Sequence, residues 1–505
     1  MRRIADDVEA QPRFVIAVFS VLFFLGVAGA SSLKLLWYDE LATLYINRLP
    51  SLGQVLSLLY ADKDGNPPLF HILSHISLRL FGAHVLALRL PEILGFWTMC
   101  VCLYHFVARR SSPLNGVVAL LFPCITAAYG YAYEARPYGL VLGFCGLALV
   151  FWQRATEPGR RPGALAGLAL SLGAAISCHY YAVLLYLPLA VGELVRWGRS
   201  KQPDFALWVA AACSASPLMV FLPLIAQHRQ FKGLFWAKAQ WTDAIGFYSF
   251  LLEPAAIPAA VMIVVLAVAW KSGSGPKRSD FKMGPVPQEM AAAVTLAVLP
   301  VFAVILGKAA TGAFTDRYAL PAVAGISLLA GLIPAVYEDS GRRLAAGMAV
   351  GLYVSFGITQ IFDATGLLTG PNDTLARLAL PSGSDPPGTP VVVSDGRVFL
   401  QMYQYCPPEL RQRLYYLADP AAAVKYTGLG NVDVELTSMA SYVPIQVVPY
   451  RAFAAAHPRF QLYGPCGVRF DWDCARLVDE GASLRLLGKF GDYQLFQAAL
   501  PAADR

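Results

Sequence analysis

Long apolar stretches recur along the chain and predict a bundle of membrane-spanning helices. Each stretch is about 17 to 25 residues long, enough to cross the hydrocarbon core as a helix, and short polar or basic segments separate them. The pattern predicts about eleven spans, at residues 14–36, 84–108, 113–131, 137–153, 163–179, 181–197, 204–226, 247–270, 288–307, 318–337 and 343–363. Because eleven is an odd number, the two ends of the chain are expected on opposite sides of the membrane.

The first apolar run follows Met1-Arg2-Arg3 and is compatible with two interpretations, a cleaved signal peptide or an uncleaved first helix. A signal peptide has an apolar region of roughly 7 to 15 residues. The run here reaches about 22 residues, which is long enough to span a bilayer. We therefore expect an uncleaved first helix with the N-terminus in the cytoplasm.

Composition and charge agree with a polytopic membrane protein. The chain has 505 residues, of which 56% are hydrophobic and 14% charged, whereas soluble domains carry roughly 25% charged residues. The net charge of +7 is also found in nucleic-acid-binding proteins. Here the basic residues concentrate in alternate loops, as the positive-inside rule requires, so we expect no nucleic-acid partner. This sidedness predicts a multi-pass membrane protein whose N-terminus is cytoplasmic.

The segment at residues 37–83 is predicted to be a long outer loop. Helical apolar spacing recurs at residues 51–60 and 69–81. Both pieces are shorter than a membrane span, so we expect two helices on the membrane surface. They flank a polar turn at residues 62–66.

The pattern changes after residue 369, which ends the predicted membrane domain at residues 1–369. Prolines, serines and glycines at 370–390 indicate a linker, and residues 391–505 predict a small extracytoplasmic α/β domain. We expect strands at 391–393, 460–463 and 493–496 and a helix at 407–417. Outside the cytoplasm a disulfide is plausible there, most simply Cys466 with Cys474, which leaves Cys406 free.

Two adjacent carboxylates, Asp39 and Glu40, follow the first predicted span directly. Charges at the edge of hydrocarbon are costly, so their presence indicates a function. Other polar groups also fall at predicted outer span ends, which makes a reaction at the outer membrane interface possible. They lie in the stretches Asp64 to His71, Tyr133 to Tyr138, Cys178 to Tyr181, Lys232 to Trp241 and Thr315 to Tyr318.

Four of these stretches, taken in order, resemble a known family. They are Asp39-Glu40, Asn66-Pro67-Pro68-Leu69-Phe70-His71, Glu134-Ala135-Arg136-Pro137-Tyr138, and the run from Arg317 to Pro321. Together they resemble the GT-C glycosyltransferases, in particular the bacterial branch related to protein O-mannosyltransferases and the aminoarabinose transferase of lipid A. The resemblance covers residues 10 to 365.

The resemblance implies a GT-C fold and transfer of a sugar, with inversion, from a polyprenyl-phosphate donor to a glycan, lipid or protein acceptor. It implies that Asp39 is the catalytic base, with Glu40 beside it. Arg136, Arg317 and Lys232 are then candidates for binding the donor phosphate, because fixed cations stabilise a departing phosphate. The remaining candidate substrate-binding residues are Asp64, Glu134, Tyr138 and His179.

The resemblance leaves a divalent metal open, with His71 as a possible ligand. No spacing of ligands in the sequence demands a metal. Asn66 stands where the family often has a histidine, which weakens the case for a metal at that turn. The chain also has no outer loop long enough for the β-trefoil insertion of eukaryotic protein O-mannosyltransferases.

Each assignment has a structural alternative. Asp39 could cap a helix, Glu134 could pair with Arg136, and Arg317 could pair with Asp316 alone. His71 and His75 lie four residues apart in an apolar helix, as packing histidines do. At the level of function the alternatives are a transporter or lipid flippase, or a membrane scaffold. A transporter would place ionisable residues inside its spans, whereas here the charges gather on one face.

Overall fold

The structure is a computed structural model, and it describes residues 2–61, 64–157, 161–228, 237–256, 286–336, 339–378, 388–466 and 471–501. Within these ranges, six helices are long and apolar enough to cross a membrane, or eight if each of two bent pairs counts as one span. The multi-pass helical architecture is as predicted, but the count of about eleven spans is not confirmed. The six spans are Pro12–Leu33, Val85–Ala108, Tyr138–Ala155, Arg161–Cys178, Phe205–Ala226 and Gly341–Ile361.

Prolines and bends account for much of the difference in the number of spans. The predicted span at 318–337 is a helix of only 11 residues, Ala322–Leu332, with Pro321 as its N-cap and Pro334 opening a separate 3₁₀ turn. The predicted spans at 113–131 and 288–307 are the bent pairs, with angles of 78° and 52°. Most of the predicted span at 247–270 lies outside the described residues.

The other helical elements of the membrane part are shorter or extend the spans. The α-helices are Arg2–Ala10, Tyr38–Asn47, Leu52–Tyr60, Pro68–Phe81, Pro113–Leu121, Tyr186–Ser200, Phe205–Ser214, Ser216–His228, Asp243–Leu252, Pro287–Ala297, Leu299–Leu306 and Asp339–Leu378. The tighter or wider turns are Phe122–Ile125, Ala127–Tyr133, Tyr180–Leu185, Gly307–Thr311, Asp316–Ala319 and Pro334–Val336.

The outer segment at 37–83 contains three helices rather than two. Leu52–Tyr60 and Pro68–Phe81 match the predicted surface helices. The third, Tyr38–Asn47, begins at the carboxylate pair, so that Asp39 and Glu40 occupy its first turn. Negative side chains are favoured there because the first N–H groups of a helix carry partial positive charge.

Glycines bring two of the spans into backbone contact. A methyl group at Gly143 would lie 2.6 Å from the carbonyl oxygen of Gly95, so any larger residue would force the helices Val85–Ala108 and Tyr138–Ala155 apart. Small residues allow this close approach in membrane helices. The contact brings the N-terminal ends of these two helices, near Arg89 and Tyr138, close to each other.

The C-terminal domain contains a six-stranded sheet between helices. The strands are β1 (Val391–Val393), β2 (Leu414–Ala418), β3 (Val447–Pro449), β4 (Arg459–Gly464), β5 (Ser483–Phe490) and β6 (Tyr493–Ala499), in the spatial order β3-β2-β1-β4-β6-β5. β1 pairs in parallel with β2 and β4, β2 pairs in parallel with β3, and β6 is antiparallel to β4 and β5. The helices are Gly396–Tyr405, Pro408–Arg411, Pro420–Thr427, Asn431–Met439, Tyr450–Ala456 and Trp472–Asp479.

Two boundaries differ from expectation. The helix expected at 407–417 is wrong, because only Pro408–Arg411 is helical and Leu414–Ala418 forms strand β2. Two tyrosines and two leucines in that strand suit a sheet interior. The helix Asp339–Leu378 also continues into the segment predicted as a linker.

The C-terminal domain packs against the first outer helix, Tyr38–Asn47. One buried apolar cluster includes Leu41 and Leu44 of that helix together with Phe399 and Leu400 of the domain. The domain also holds the segment before the helix, because the Tyr405 hydroxyl accepts a 2.8 Å hydrogen bond from the N–H of Leu36, two residues before Tyr38. Contacts with the C-terminal domain thus hold in place both the helix that carries Asp39 and the segment before it.

Candidate active site

Asp39 lies between two arginine side chains. Its Oδ2 accepts a 2.9 Å hydrogen bond from Arg317 Nη1 and lies 3.7 Å from Arg136 Nε. The Asp39 side chain keeps 20% of its surface exposed, so a ligand can reach it. The residues come from the first outer helix, the turn at Asp316–Ala319 and the segment before the helix Tyr138–Ala155.

Asp64 forms the second acidic partner of Arg136. Arg136 Nη1 lies 3.3 Å from Asp64 Oδ2 and 3.4 Å from the Thr43 hydroxyl. Burial alone would raise the pKa of Asp64, but the Arg136 guanidinium and the His71 ring hold that pKa well below its ordinary value. Asp64 is therefore ionised, and Arg136 is shared between two carboxylates.

His71 contacts the same carboxylate from the other side. Its Nε2 lies 3.6 Å from Asp64 Oδ2, and its Nδ1 lies 3.2 Å from Asn47 Oδ1. His75 contacts the Asn47 carbonyl oxygen at 2.9 Å, so both histidines pack against one residue. A cation bound by Asp64 and His71 would have to share Asp64 Oδ2 with Arg136, and we assign no metal there.

Arg317 also contacts aromatic rings. Its guanidinium carbon lies 5.8 Å from the ring centres of Trp37 and of Tyr138, within range of a cation–π interaction. Its hydrogen-bond partner is Asp39, so the alternative of pairing with Asp316 alone does not hold.

Aromatic side chains line a cavity next to Arg317. The cavity is bounded by Tyr138, His179, Tyr181 and Tyr318, and the rings of Tyr181 and Tyr318 stack with centres 4.4 Å apart. Burial, together with Arg136 and Arg317, lowers the pKa of His179 to about 3. Because His179 Nδ1 accepts a hydrogen bond from the Tyr181 N–H, the neutral ring carries its proton on Nε2.

Glu40, predicted to be catalytic with Asp39, instead lies in a buried ion pair. Both its oxygens accept 2.7 Å hydrogen bonds from Arg89, and neither side chain is exposed. Glu40 also accepts a 2.8 Å hydrogen bond from the Ala135 N–H. The pair thereby ties the first outer helix to the span that carries Arg89 and to the segment that carries Arg136.

Glu134 pairs with a lysine rather than with Arg136. Its Oε2 lies 3.5 Å from Lys34 Nζ, and the Lys34 ammonium lies 5.2 Å from the ring centre of Tyr133. Burial raises the pKa of Glu134, and the Lys34 charge opposes that rise. The remaining predicted site residue, Lys232, lies outside the described residues.

Lys34, Arg89 and Glu435 were not predicted as part of this region. Arg89 lies, with Glu92, inside an apolar span, and such a charge is a signal of a buried partner. Glu435, from the C-terminal domain, accepts a 2.8 Å hydrogen bond from the Tyr38 hydroxyl. Nothing in the local sequence around Glu435 marks this contact.

Comparisons with known proteins agree with this architecture. Residues 65–226 match the sequence profile of a family described as dolichyl-phosphate-mannose-protein mannosyltransferase. No curated protein sequence matches the chain significantly. The apo structure of ArnT from Cupriavidus metallidurans superposes with a TM-score of 0.60 at 11% identity, covering 97% of this chain and 98% of that chain.

A second structure of the same protein, bound to undecaprenyl phosphate, superposes with a TM-score of 0.59 at 14% identity, covering 95% of this chain and 97% of that chain. The fold is therefore that of an integral-membrane GT-C glycosyltransferase, and the predicted resemblance to that class is confirmed. It extends over both the membrane part and the C-terminal domain.

Proposed function

We propose that the protein is an inverting glycosyltransferase that moves a sugar from a polyprenyl-phosphate donor to an envelope glycan, lipid or protein acceptor. The reaction takes place at the outer face of a bacterial inner membrane, with the N-terminus in the cytoplasm and the C-terminal domain outside. The observation that carries the proposal is the position of Asp39 between Arg136 and Arg317, beside an aromatic cavity. Binding of undecaprenyl phosphate by ArnT, which shares the fold, supports the donor class.

Asp39 acts as the general base. Its carboxylate takes the proton of the acceptor hydroxyl while that oxygen attacks the anomeric carbon. Attack opposite the departing phosphate inverts the configuration at that carbon. Partial exposure of Asp39 leaves room for the acceptor.

Arg317 and Arg136 bind the donor phosphate and stabilise the charge that builds on it as the bond to the sugar breaks. A guanidinium has five N–H donors, so Arg317 can hold Asp39 and a phosphate oxygen together. Lys232 stays a candidate for the same task. The negative charges of Asp39 and Asp64 keep both arginines in place before the donor binds.

The sugar of the donor binds at the aromatic cluster beside Arg317, whose enclosed space of about 10 Å³ has to widen to admit a sugar ring. Tyr138 and Tyr318 line this space, and aromatic rings and hydroxyl groups suit the C–H and O–H groups of a hexose or pentose. The Nε2–H of neutral His179 donates a hydrogen bond to a sugar oxygen. Glu40 and Glu134 act as positioning residues through Arg89 and Lys34.

A transfer assay with purified protein in nanodiscs tests the proposal. The donors are synthetic undecaprenyl-phosphate sugars, the acceptors are lipid A and a peptide containing serine and threonine, and parallel reactions contain EDTA. Consumption of one donor by the wild type, with loss in Asp39→Asn, is expected and names the sugar. Folded protein that consumes no donor would refute the proposal and favour a diphosphate-linked donor or a transporter.

A further inference from the structure

We infer that Glu435, a residue of the C-terminal domain, binds the acceptor substrate beside Asp39; this inference rests on the proposed transferase function. Glu435 lies on the helix Asn431–Met439, and its side chain is exposed. Its Oε2 accepts a 2.8 Å hydrogen bond from the hydroxyl of Tyr38, the residue immediately before Asp39. The domain therefore brings a carboxylate to the proposed catalytic centre.

The docking of the domain keeps Glu435 at this position. Tyr45 donates a 2.9 Å hydrogen bond to Gln404, and Gln401 donates a 3.1 Å hydrogen bond to the Leu36 carbonyl oxygen. These contacts, with the shared apolar cluster, leave the helix Asn431–Met439 facing the first outer helix. Because the Glu435 side chain is exposed, an acceptor can reach it.

The balance of charge shows which substrate suits Glu435. Four carboxylates around the site each have a cationic partner, whereas Glu435 forms no ion pair within the described residues. An unmatched negative charge repels a lipid phosphate, so it is unsuited to the donor. It favours a ligand with hydrogen-bond donors, which are the hydroxyl or ammonium groups of an acceptor. The four balanced pairs are Asp39 with Arg317, Asp64 with Arg136, Glu40 with Arg89, and Glu134 with Lys34.

If Glu435 binds the acceptor, the affinity for the acceptor should depend on pH, which a simple docking contact would not cause. Partial removal of the Glu435 carboxylate from water raises its pKa to about 7, and nearby carboxylates contribute to the rise. The charged form binds a hydrogen-bond donor more strongly, so acceptor affinity falls as the pH falls through 7. The charged and titratable groups that face Glu435 are Tyr38, Asp39, Asp64, Arg136 and Tyr442.

Steady-state kinetics of Glu435→Gln test the inference. Glutamine keeps the size of the side chain and still accepts the Tyr38 hydrogen bond, but it has no charge. The substrate is whichever of lipid A and the serine- and threonine-containing peptide the wild type glycosylates. We expect the acceptor KM to rise about tenfold, which corresponds to the loss of one charge-assisted hydrogen bond, with donor KM and kcat close to wild type.

The matched control is Glu409→Gln, since Glu409 is an exposed glutamate on another face of the same domain. It should leave all constants unchanged. When the pH is lowered from 8 to 6, the acceptor KM should rise in the wild type and stay constant in Glu435→Gln. An unchanged acceptor KM in Glu435→Gln, or a change confined to the donor KM, would contradict the inference and show that Glu435 only docks the C-terminal domain against the membrane part. A wild type that transfers no sugar would instead refute the proposed function itself.

Discussion

The Arg317 guanidinium donates a 2.9 Å hydrogen bond to the carboxylate of Asp39 across 278 positions of sequence. The contact joins the beginning of the membrane part to its last third. It also fixes the direction of the Asp39 carboxylate, with Oδ2 turned towards the arginine.

Asp39→Asn should lower transfer about 10² to 10⁴-fold, because an amide cannot take the acceptor proton. The variant should fold, since the amide oxygen still accepts the hydrogen bond from Arg317. Transfer rates and thermal unfolding midpoints measured together separate these effects. Asp492→Asn, an exposed change of the same type, is the control, and activity retained in Asp39→Asn would contradict the base assignment.

Arg317→Lys should weaken binding of undecaprenyl phosphate about tenfold, because lysine keeps the charge but lacks the planar fork that matches phosphate oxygens. Binding to nanodisc-embedded protein can be followed by native mass spectrometry. Arg48→Lys is a suitable control, since Arg48 is exposed and bonds only a backbone carbonyl among the described contacts. Equal affinity of Arg317→Lys and wild type would argue against a phosphate role.

Glu40→Gln should destabilise the protein by about 3 to 5 kcal/mol, because it leaves the buried Arg89 charge without its partner. The thermal unfolding midpoint in detergent measures this loss. In the double variant Glu40→Gln/Arg89→Met the unpaired charge is gone, so part of the midpoint should return. A Glu40→Gln variant of full stability that lacks transfer would instead support a catalytic role for Glu40.

His179 should make the protein sensitive to acid. Its pKa is 6.5 as an ordinary histidine and about 3 in the folded chain, so below pH 6.5 the unfolded chain binds a proton that the folded chain does not. Stability therefore falls as the pH drops from 6.5 towards 3. Unfolding midpoints at pH 7.5 and pH 5 should differ less in His179→Gln than in wild type. An identical difference in the two proteins would contradict the assignment.

Cys466 and Cys474 should form a disulfide outside the cytoplasm. Their sulfurs and the Asp471 carboxylate lie within 4.8 Å of one another, and closing this short loop stabilises a domain by about 2 to 3 kcal/mol. Peptide mapping without reductant should find the two cysteines linked and Cys406 as a free thiol. Zinc in the purified protein, with both cysteines reduced, would contradict this and indicate a metal site.

Sequence reasoning located the residues of the candidate site better than their partners. Asp39, Asp64, Arg136 and Arg317 stand at predicted outer span ends, so hydropathy and charge were enough to bring them to one face. Glu40 looks like Asp39 in sequence, and burial against Arg89 distinguishes its environment from that of Asp39. Which residue a side chain pairs with depends on how its helix is rotated about its own axis, and hydropathy does not determine that rotation.

Prediction of the fold also succeeded for some elements and failed for others. Spans with uninterrupted apolar runs were predicted well, whereas bends at prolines and the short helix Ala322–Leu332 were read as full spans. Leu414–Ala418 was expected to be helical because its strand identity comes from pairing with β1 and β3. Such non-local pairing leaves little trace in a short segment.

The distance in sequence between Asp39 and Arg317 has a consequence for biosynthesis. At about 5 to 20 residues per second, the ribosome needs roughly 15 to 55 seconds to add the 278 residues between them. During that interval the nascent chain holds the carboxylate without this arginine. Glu435 emerges later still, so the complete centre exists only when translation is nearly finished.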